Sequence, residues 1–220
     1  MTHPVPRALS PPWNEPLWSE RIDAALAQID LAWKPSQVGA AVHYLALLQR
    51  WNAAFNLTAI TDPQQMLVQH LFDSLAVARF LSGNAALDLG TGAGLPGIPL
   101  AIDQPARRFT LLDANGKKIR FIRQAMIELR LTNAAAVQTR VADFQPPSEF
   151  DCIVSRAYSS LRQFVDDARR LCAPGGVLLA MKARLQSDEL AAIESDCDYR
   201  VEPLTVPGLA AERHLVIIAN

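Results

Sequence analysis

The chain is expected to fold as an α/β protein, with a doubly wound, seven-stranded, mostly parallel sheet preceded by an N-terminal helical extension. Three observations in its 220 residues predict this. From Ala85 onward, short apolar runs alternate with amphipathic segments, as strands do when helical crossovers link them. The run Ala86-Leu-Asp-Leu-Gly-Thr-Gly-Ala-Gly-Leu-Pro-Gly97 takes an apolar strand into a glycine turn and a helix start. Over residues 18–82 the apolar period is that of helices.

Residues 1–17 read as a flexible Pro-rich tail, because five of the chain's 15 prolines fall in the first 16 residues. Residues 18–82 read as the helical extension and residues 83–220 as the cofactor-binding domain. A first helix is expected from Ser19, as cap, to about Trp33, with Ile22, Leu26 and Ile29 on one face. A second follows Pro35-Ser36 and places Val38, Val42, Leu45, Leu48 and Trp51 on one face. A third starts after Thr61-Asp62-Pro63, with Asp as cap and Pro in the first turn. Strands are expected at Ala85–Leu89, Phe109–Asp113, Ala135–Gln138, Cys152–Ser155, Val177–Lys182, Val201–Val206 and Leu215–Ala219. Helices are expected near 96–104, 116–130, 160–172 and 187–195. The Pro207–Arg213 loop is too short for a helical crossover, so the last two strands should be antiparallel.

Composition excludes several classes. Half the residues are apolar, no apolar run is long enough for a membrane span, and the N-terminus lacks a signal-peptide pattern. A cytoplasmic protein is expected. Cys152, Cys172 and Cys197 lie far apart with no C-x-x-C pair, so no metal site is expected and a reducing compartment suits the chain. Net charge is −1, yet residues 107–130 hold seven basic groups against Asp113 and Glu128, a local basic patch on a neutral protein.

The glycine run is a nucleotide-cofactor cradle in which glycines allow close backbone approach and the next helix offers free N–H groups. Two registers fit. Gly92-x-Gly94-x-x-Gly97 matches the dinucleotide fingerprint, whereas Asp88-x-Gly90-x-Gly92-x-Gly94 matches the first motif of S-adenosylmethionine (SAM) methyltransferases. Position favours the second, because Leu87 and Leu89 end the strand and Gly90 opens the turn. Asp88 is placed to meet a cation, such as the SAM ammonium, better than a phosphate. Asp113 ends the next strand, where a carboxylate takes ribose hydroxyls of either cofactor. An NAD-dependent oxidoreductase and a methyltransferase acting on a small molecule or a protein therefore stand as alternatives at this point.

Four segments bear on the choice: Trp51-Asn-x-x-Phe-Asn-Leu-Thr58 with His70-x-x-Asp-Ser74, Asp88 to Pro99, Leu112-Asp-x-x-x-Lys-Lys118, and Ser155-Arg-Ala157. Together with Glu212-Arg-His-Leu215, they make the chain resemble the bacterial methyltransferases that act on guanine N7 of 16S ribosomal RNA, also called glucose-inhibited division protein B. The likeness runs from about residue 20 to the C-terminus. It implies SAM as cofactor and an enzyme that binds 16S rRNA or a partly assembled small ribosomal subunit. It implies no membrane, no DNA and no obligate protein partner. Carried over by residue, it implies cofactor contacts from Gly90 and Leu95, adenine contacts from Val141 and Ala142, and a site role for Arg156. The family carries an acid where this chain has Ala142, and the neighbouring Asp143 is positioned to supply that contact.

The implied chemistry needs no general base, since guanine N7 carries a free in-plane lone pair at neutral pH. Catalysis then rests on alignment. Other acceptors fit poorly: Ser155-Arg-Ala-Tyr158 is not the Asn/Asp-Pro-Pro-aromatic motif of exocyclic-amine enzymes, and Cys152, inside an apolar run, reads as core rather than nucleophile. Arg156, at the C-terminal end of its strand, is expected to position substrate or cofactor. Lys117, Lys118, Arg120 and Arg123 fall in the first turns of a helix, where the macrodipole disfavours cations, so an RNA phosphate is their expected partner. Lys182 and Arg213 are expected to add to that RNA surface.

Overall fold

The computed structural model describes Trp13, residues 16–156 and residues 158–220. The expected tail lies almost wholly outside the described residues. Trp13 is buried, with its ring centroid 4.9 Å from that of Trp18 and its Nε1 donating to Gln49 Oε1 at 2.8 Å.

The first helix, α1 (Leu17–Leu26), starts behind Pro16 rather than at Ser19 and buries Trp18, Ile22, Ala25 and Leu26. It ends short of Trp33 because, after a 3-10 turn at Ala27–Ile29, Asp30 adopts a left-handed φ of 57° that no helix continues. α2 (Pro35–Phe55) has Pro in its first turn and buries the predicted Val38, Val42, Leu45 and Leu48. Asp62 caps α3 (Pro63–Met66), its Oδ1 accepting the Gln65 N–H at 2.9 Å. The helical run continues through a π-helical stretch, Leu67–Phe72, into α4 (Asp73–Leu75). Wide turns of this kind recur at functional sites because they re-aim side chains that a regular helix would stack.

The sheet holds β1 (Ala85–Leu89), β2 (Arg108–Asp113), β3 (Ala134–Gln138), β4 (Phe150–Arg156), β5 (Cys172–Lys182), β6 (Tyr199–Pro203) and β7 (His214–Ala219), in the order β3-β2-β1-β4-β5-β7-β6. β7 runs antiparallel to both neighbours and the other pairs are parallel. β6 stops at Pro203, short of the predicted Val206, because Pro has no N–H to extend the ladder and the chain turns at Gly208 with φ 78°. The crossovers are α5 (Gly97–Asp103), α6 (Gly116–Leu129), α7 (Leu161–Arg169) and α8 (Ser187–Glu194), whereas β3 passes to β4 through a 3-10 turn at Val141–Asp143.

Alternation along the strands feeds two cores. Ala86, Phe109 and Leu111 pack with α5, α6 and the helical extension, while Leu87, Leu89 and Ile153 pack with Phe164 and Val165 of α7. The extension is thus continuous with one face of the sheet. Tyr44 of α2, fully buried, donates its hydroxyl to the Ala93 carbonyl at 2.7 Å and so props the glycine loop from behind. Burial drives the Tyr44 phenol far above its ordinary range, so it stays protonated and remains a donor. Among the described residues no helix is long and apolar enough to cross a membrane.

Candidate active site

The glycine loop leaves the C-terminal end of β1, the edge where doubly wound sheets bind ligands. The Gly90 and Thr91 N–H groups both donate to the Leu112 carbonyl at 2.9 Å, which pins the loop to β2. Gly90 has φ 73°, and a Cβ built on it meets no atom within 4 Å, so the absent side chain leaves open space at the cradle. Gly97 has the opposite requirement: a Cβ there would lie 2.7 Å from Asp88 Oδ2 and 2.9 Å from Leu111.

Asp88, the residue expected to meet a cation, stands in β1 and turns its side chain to the glycine loop. Its carboxylate is fully buried inside the loop, with Oδ2 accepting the Thr91 hydroxyl at 2.5 Å and the Gly97 N–H at 2.7 Å. Its Oδ1 is buried without a partner. Burial raises the Asp88 carboxyl to about 7, against the lowering effect of the bonds from Thr91 and Gly97. The residue staples the loop from within, and its charged form gains ground only as pH rises toward and past about 7.

Asp113 ends β2 with Oδ2 accepting the Gly92 N–H at 2.9 Å and Oδ1 accepting the Asn115 N–H at 2.7 Å, while Lys118 Nζ stands 3.7 Å from Oδ2. A cavity of about 220 Å³ is lined by Gly90, Gly92, Leu95, Thr58, Lys118 and Arg156, among others. Gly94 lies within the same loop, with φ 89° and its N–H on the Thr91 carbonyl. The open cradle at Gly90, with the Asp113 carboxylate bonded to Gly92 beside it, fits a nucleoside cofactor such as SAM. Val141, Ala142 and Asp143 form the turn after β3, beyond Asp113 at the same edge and outside the lining of this cavity. Arg170 holds that turn through the Val141 and Phe144 carbonyls.

Arg156 also lines a second cavity, of about 330 Å³, between the π-helical stretch and the ends of β4, β5 and β7. Its Nη1 donates to the Gln69 carbonyl at 2.8 Å and to Asp73 Oδ2 at 3.2 Å, and Arg213 Nε donates to Asp73 Oδ1 at 3.0 Å. Asp73 is therefore a buried carboxylate between two guanidinium groups, one at the end of β4 and one on the loop residue just before β7. His70, 2% exposed, contacts Thr58 Oγ1 through Nε2 at 3.0 Å, and its Nδ1 is buried without a partner. Burial, reinforced by Arg156, lowers His70 to about 4, so the imidazole is neutral near pH 7.

The six expected RNA-contact residues separate into two groups. Lys117, Arg120 and Arg123 lie exposed on α6 and make no ion pair among the described residues, and Lys118 sits beside them, turned toward Asp113. Lys182 and Arg213 lie instead at the second cavity, where Lys182 Nζ bonds Glu189 Oε1 at 2.5 Å and Arg213 holds Asp73. Asp73 and His214 carry no role in the sequence reading. Their signals are the pairings His70-x-x-Asp73 and Arg213-His214, whose meaning depends on the fold bringing residues 70–73 and 213–214 together.

Residues 37–216 match the family model described as GidB, rRNA small subunit methyltransferase G. The chain is 44% identical over 200 residues to the ribosomal RNA small subunit methyltransferase G of Photobacterium profundum, covering 90% of this chain and 97% of the relative. It is 51% identical over 174 residues to that of Methylococcus capsulatus, covering 79% and 85%. With that of Stenotrophomonas maltophilia the identity is 44% over 219 residues, covering 99% and 98%. Solved structures share the fold at low identity. A SAM-dependent methyltransferase from Aquifex aeolicus gives a TM-score of 0.58 at 16% identity, covering 74% of this chain and 96% of that one. The N-methyltransferase NodS from Bradyrhizobium japonicum, in complex with S-adenosyl-L-homocysteine, gives 0.56 at 19%, covering 79% and 98%. Both the extent and the identity of these matches make the chain a member of the small-subunit rRNA methyltransferase G family.

Proposed function

We propose that this protein transfers the methyl group of SAM to N7 of a guanine in 16S ribosomal RNA, acting in the cytoplasm on the RNA or on a partly assembled small subunit. The observation that carries the reading is the shared Arg156 wall. The glycine cradle lies on one side of it and a second cavity on the other, both at the C-terminal edge of the sheet. The relatives' names add the substrate class.

When bound, SAM supplies an electrophilic methyl group on a sulfonium. Gly90, Gly92 and Gly94 hold the backbone open for it, Leu95 gives an apolar contact and Asp113 takes the ribose hydroxyls. Val141, Ala142 and Asp143 flank the adenine, and Asp88 sets the loop and faces the ammonium from within. Guanine N7 attacks through its own lone pair, so no residue removes a proton, and Arg156 fixes the approach. Lys117, Lys118, Arg120 and Arg123 receive RNA phosphates. Residues 18–82 act as an extension that backs the site carried by residues 83–220, behind a tail at residues 1–17. N7 lies on the major-groove edge, and A-form RNA keeps that groove too deep and narrow for side chains, so the target guanine is unpaired or drawn out of its stack.

Thermal unfolding in the presence of SAM or NAD tests the cofactor. SAM raises the Tm by mass action and NAD leaves it unchanged. The reverse result would assign the cradle to a dinucleotide. Transfer of labelled methyl from SAM to small subunits, against none to a fully paired duplex, tests the substrate.

A further inference from the structure

We infer that the cavity on the far side of Arg156 is the pocket for the target base, with Arg156 donating to guanine O6 and Asp73 accepting from the N1 and N2 edge. The inference rests on the proposed methyl transfer to guanine and names the part of the protein that reads the base.

Four observations point the same way. The cavity's size, about 330 Å³, lies at the small end of the ~300–1,000 Å³ of ligand pockets. Its walls include the apolar Ile60, Met181 and Leu204, suited to the faces of a flat ring rather than to a phosphate. The polar groups are fixed and convergent: Arg156 stands on the wall shared with the cofactor cradle, and Asp73 is held by Arg156 and Arg213. Two ring nitrogens of cavity-lining residues, His70 Nδ1 and His214 Nδ1, are buried with no hydrogen-bond partner.

The order of these groups matches guanine seen from its N7. A base presenting N7 to the cradle presents O6 beside it, within reach of a donor on the shared wall. Its N1–H and N2–H₂ follow O6 along the next edge of the ring, where an acceptor is required and where Asp73 stands beside Arg156. An ionised carboxylate has about four acceptor sites. Asp73 spends one oxygen contact on each guanidinium, which leaves capacity for the base. Adenine would meet Arg156 with an amino group in place of O6 and offer no N1–H. Such mismatches leave buried polar groups unpaired and give large discrimination.

Two variants of the full-length protein and one photochemical probe test this. Ala183 is exposed at the cavity and Trp there closes the mouth without entering the core. Ala183→Trp should leave SAM affinity within twofold and lower kcat/KM on small subunits at least 100-fold. Asp73→Asn should reduce the preference for guanine over inosine at the methylated position from at least tenfold toward equality, a ratio that a general loss of stability would not move. Independently of transfer, the cofactor-free protein is irradiated with 16S RNA carrying 6-thioguanosine at the methylated position. Crosslinks in the peptides containing residues 69–73 or 213–214 support the pocket. Crosslinks confined to α6, or kcat/KM within threefold of the parent in both variants, overturn it. If the parent transfers no methyl to 16S RNA, the function reading fails, and the crosslink alone decides the pocket.

Discussion

Asp88 and His70 oppose each other in the pH dependence of stability, and substituting either one unmasks the other. His70 is held neutral at about 4 against 6.5 in the unfolded chain, so its contribution is complete above 6.5 and is lost as pH falls toward 4. Asp88 is raised to about 7 against 3.8, so the fold holds its proton, and stability is lost as pH rises from 3.8 toward 7. At about 1.36 kcal/mol per pH unit, each effect is worth about 3 kcal/mol between pH 4 and 6.5, with opposite sign. In the parent they cancel across that window. In Asp88→Asn, stability relative to the parent should climb by about 3 kcal/mol from pH 4 to 6.5, because the descending term is gone. In His70→Gln it should fall by a similar amount over the same range. Urea unfolding at half-unit pH intervals, with the slope m held common, reads these differences directly. Taking the difference removes carboxylates that both proteins share, such as Asp151, which two backbone N–H groups hold below its usual range. Parallel pH profiles for Asp88→Asn and the parent would mean that Asp88 is ionised in the fold at pH 4, and would refute the argument from burial.

The same carboxyl predicts that SAM, a cation, binds more tightly as pH rises toward 7, by at most tenfold per unit, and that Asp88→Asn flattens the curve. Titration calorimetry from pH 5.5 to 8 checks this, and equal slopes in the two proteins would contradict it. Gly90→Val should abolish SAM binding, because the side chain fills the open cradle and forces a β-branched residue to φ 73°; a Kd within tenfold of the parent would place the cofactor elsewhere. Arg156→Ala should lower kcat/KM at least 100-fold while costing about 1–3 kcal/mol of stability, since Arg213 still pairs Asp73; an unchanged kcat/KM would remove Arg156 from the site. Replacing Lys117, Arg120 and Arg123 together by Ala should flatten the slope of log K for RNA against log salt by roughly 0.7–0.9 for each phosphate no longer neutralised, with SAM affinity unchanged. A slope equal to the parent's would make α6 a solvated surface.

The elements that position the site were legible because their causes are local. Apolar runs fixed β1 and β2, and Asn115 caps α6 by accepting the Lys117 N–H at 2.9 Å, where the apolar period begins. The start of α1 was less legible because Pro16, not a polar cap, sets it. Asp88 is legible as a strand residue next to the glycine turn, but its burial is not, since the Gly97 N–H that claims it is nine residues away, across the turn. The second cavity is legible only as separate segments, not as one site. Asp73 lies 83 residues from Arg156 and 140 from Arg213 along the chain, and no periodicity or motif spacing brings the three together. The π-helical stretch was hidden for a related reason, because regular α-helix and wide turn share the same apolar pattern.

The most direct test uses small ribosomal subunits from a strain that lacks the gene, incubated with the purified protein and SAM carrying a labelled methyl group. Nucleoside analysis of the digested RNA should recover the label as 7-methylguanosine at one position of 16S RNA. Label in any other nucleoside, or its absence from 16S RNA when SAM is demonstrably bound, would contradict the account.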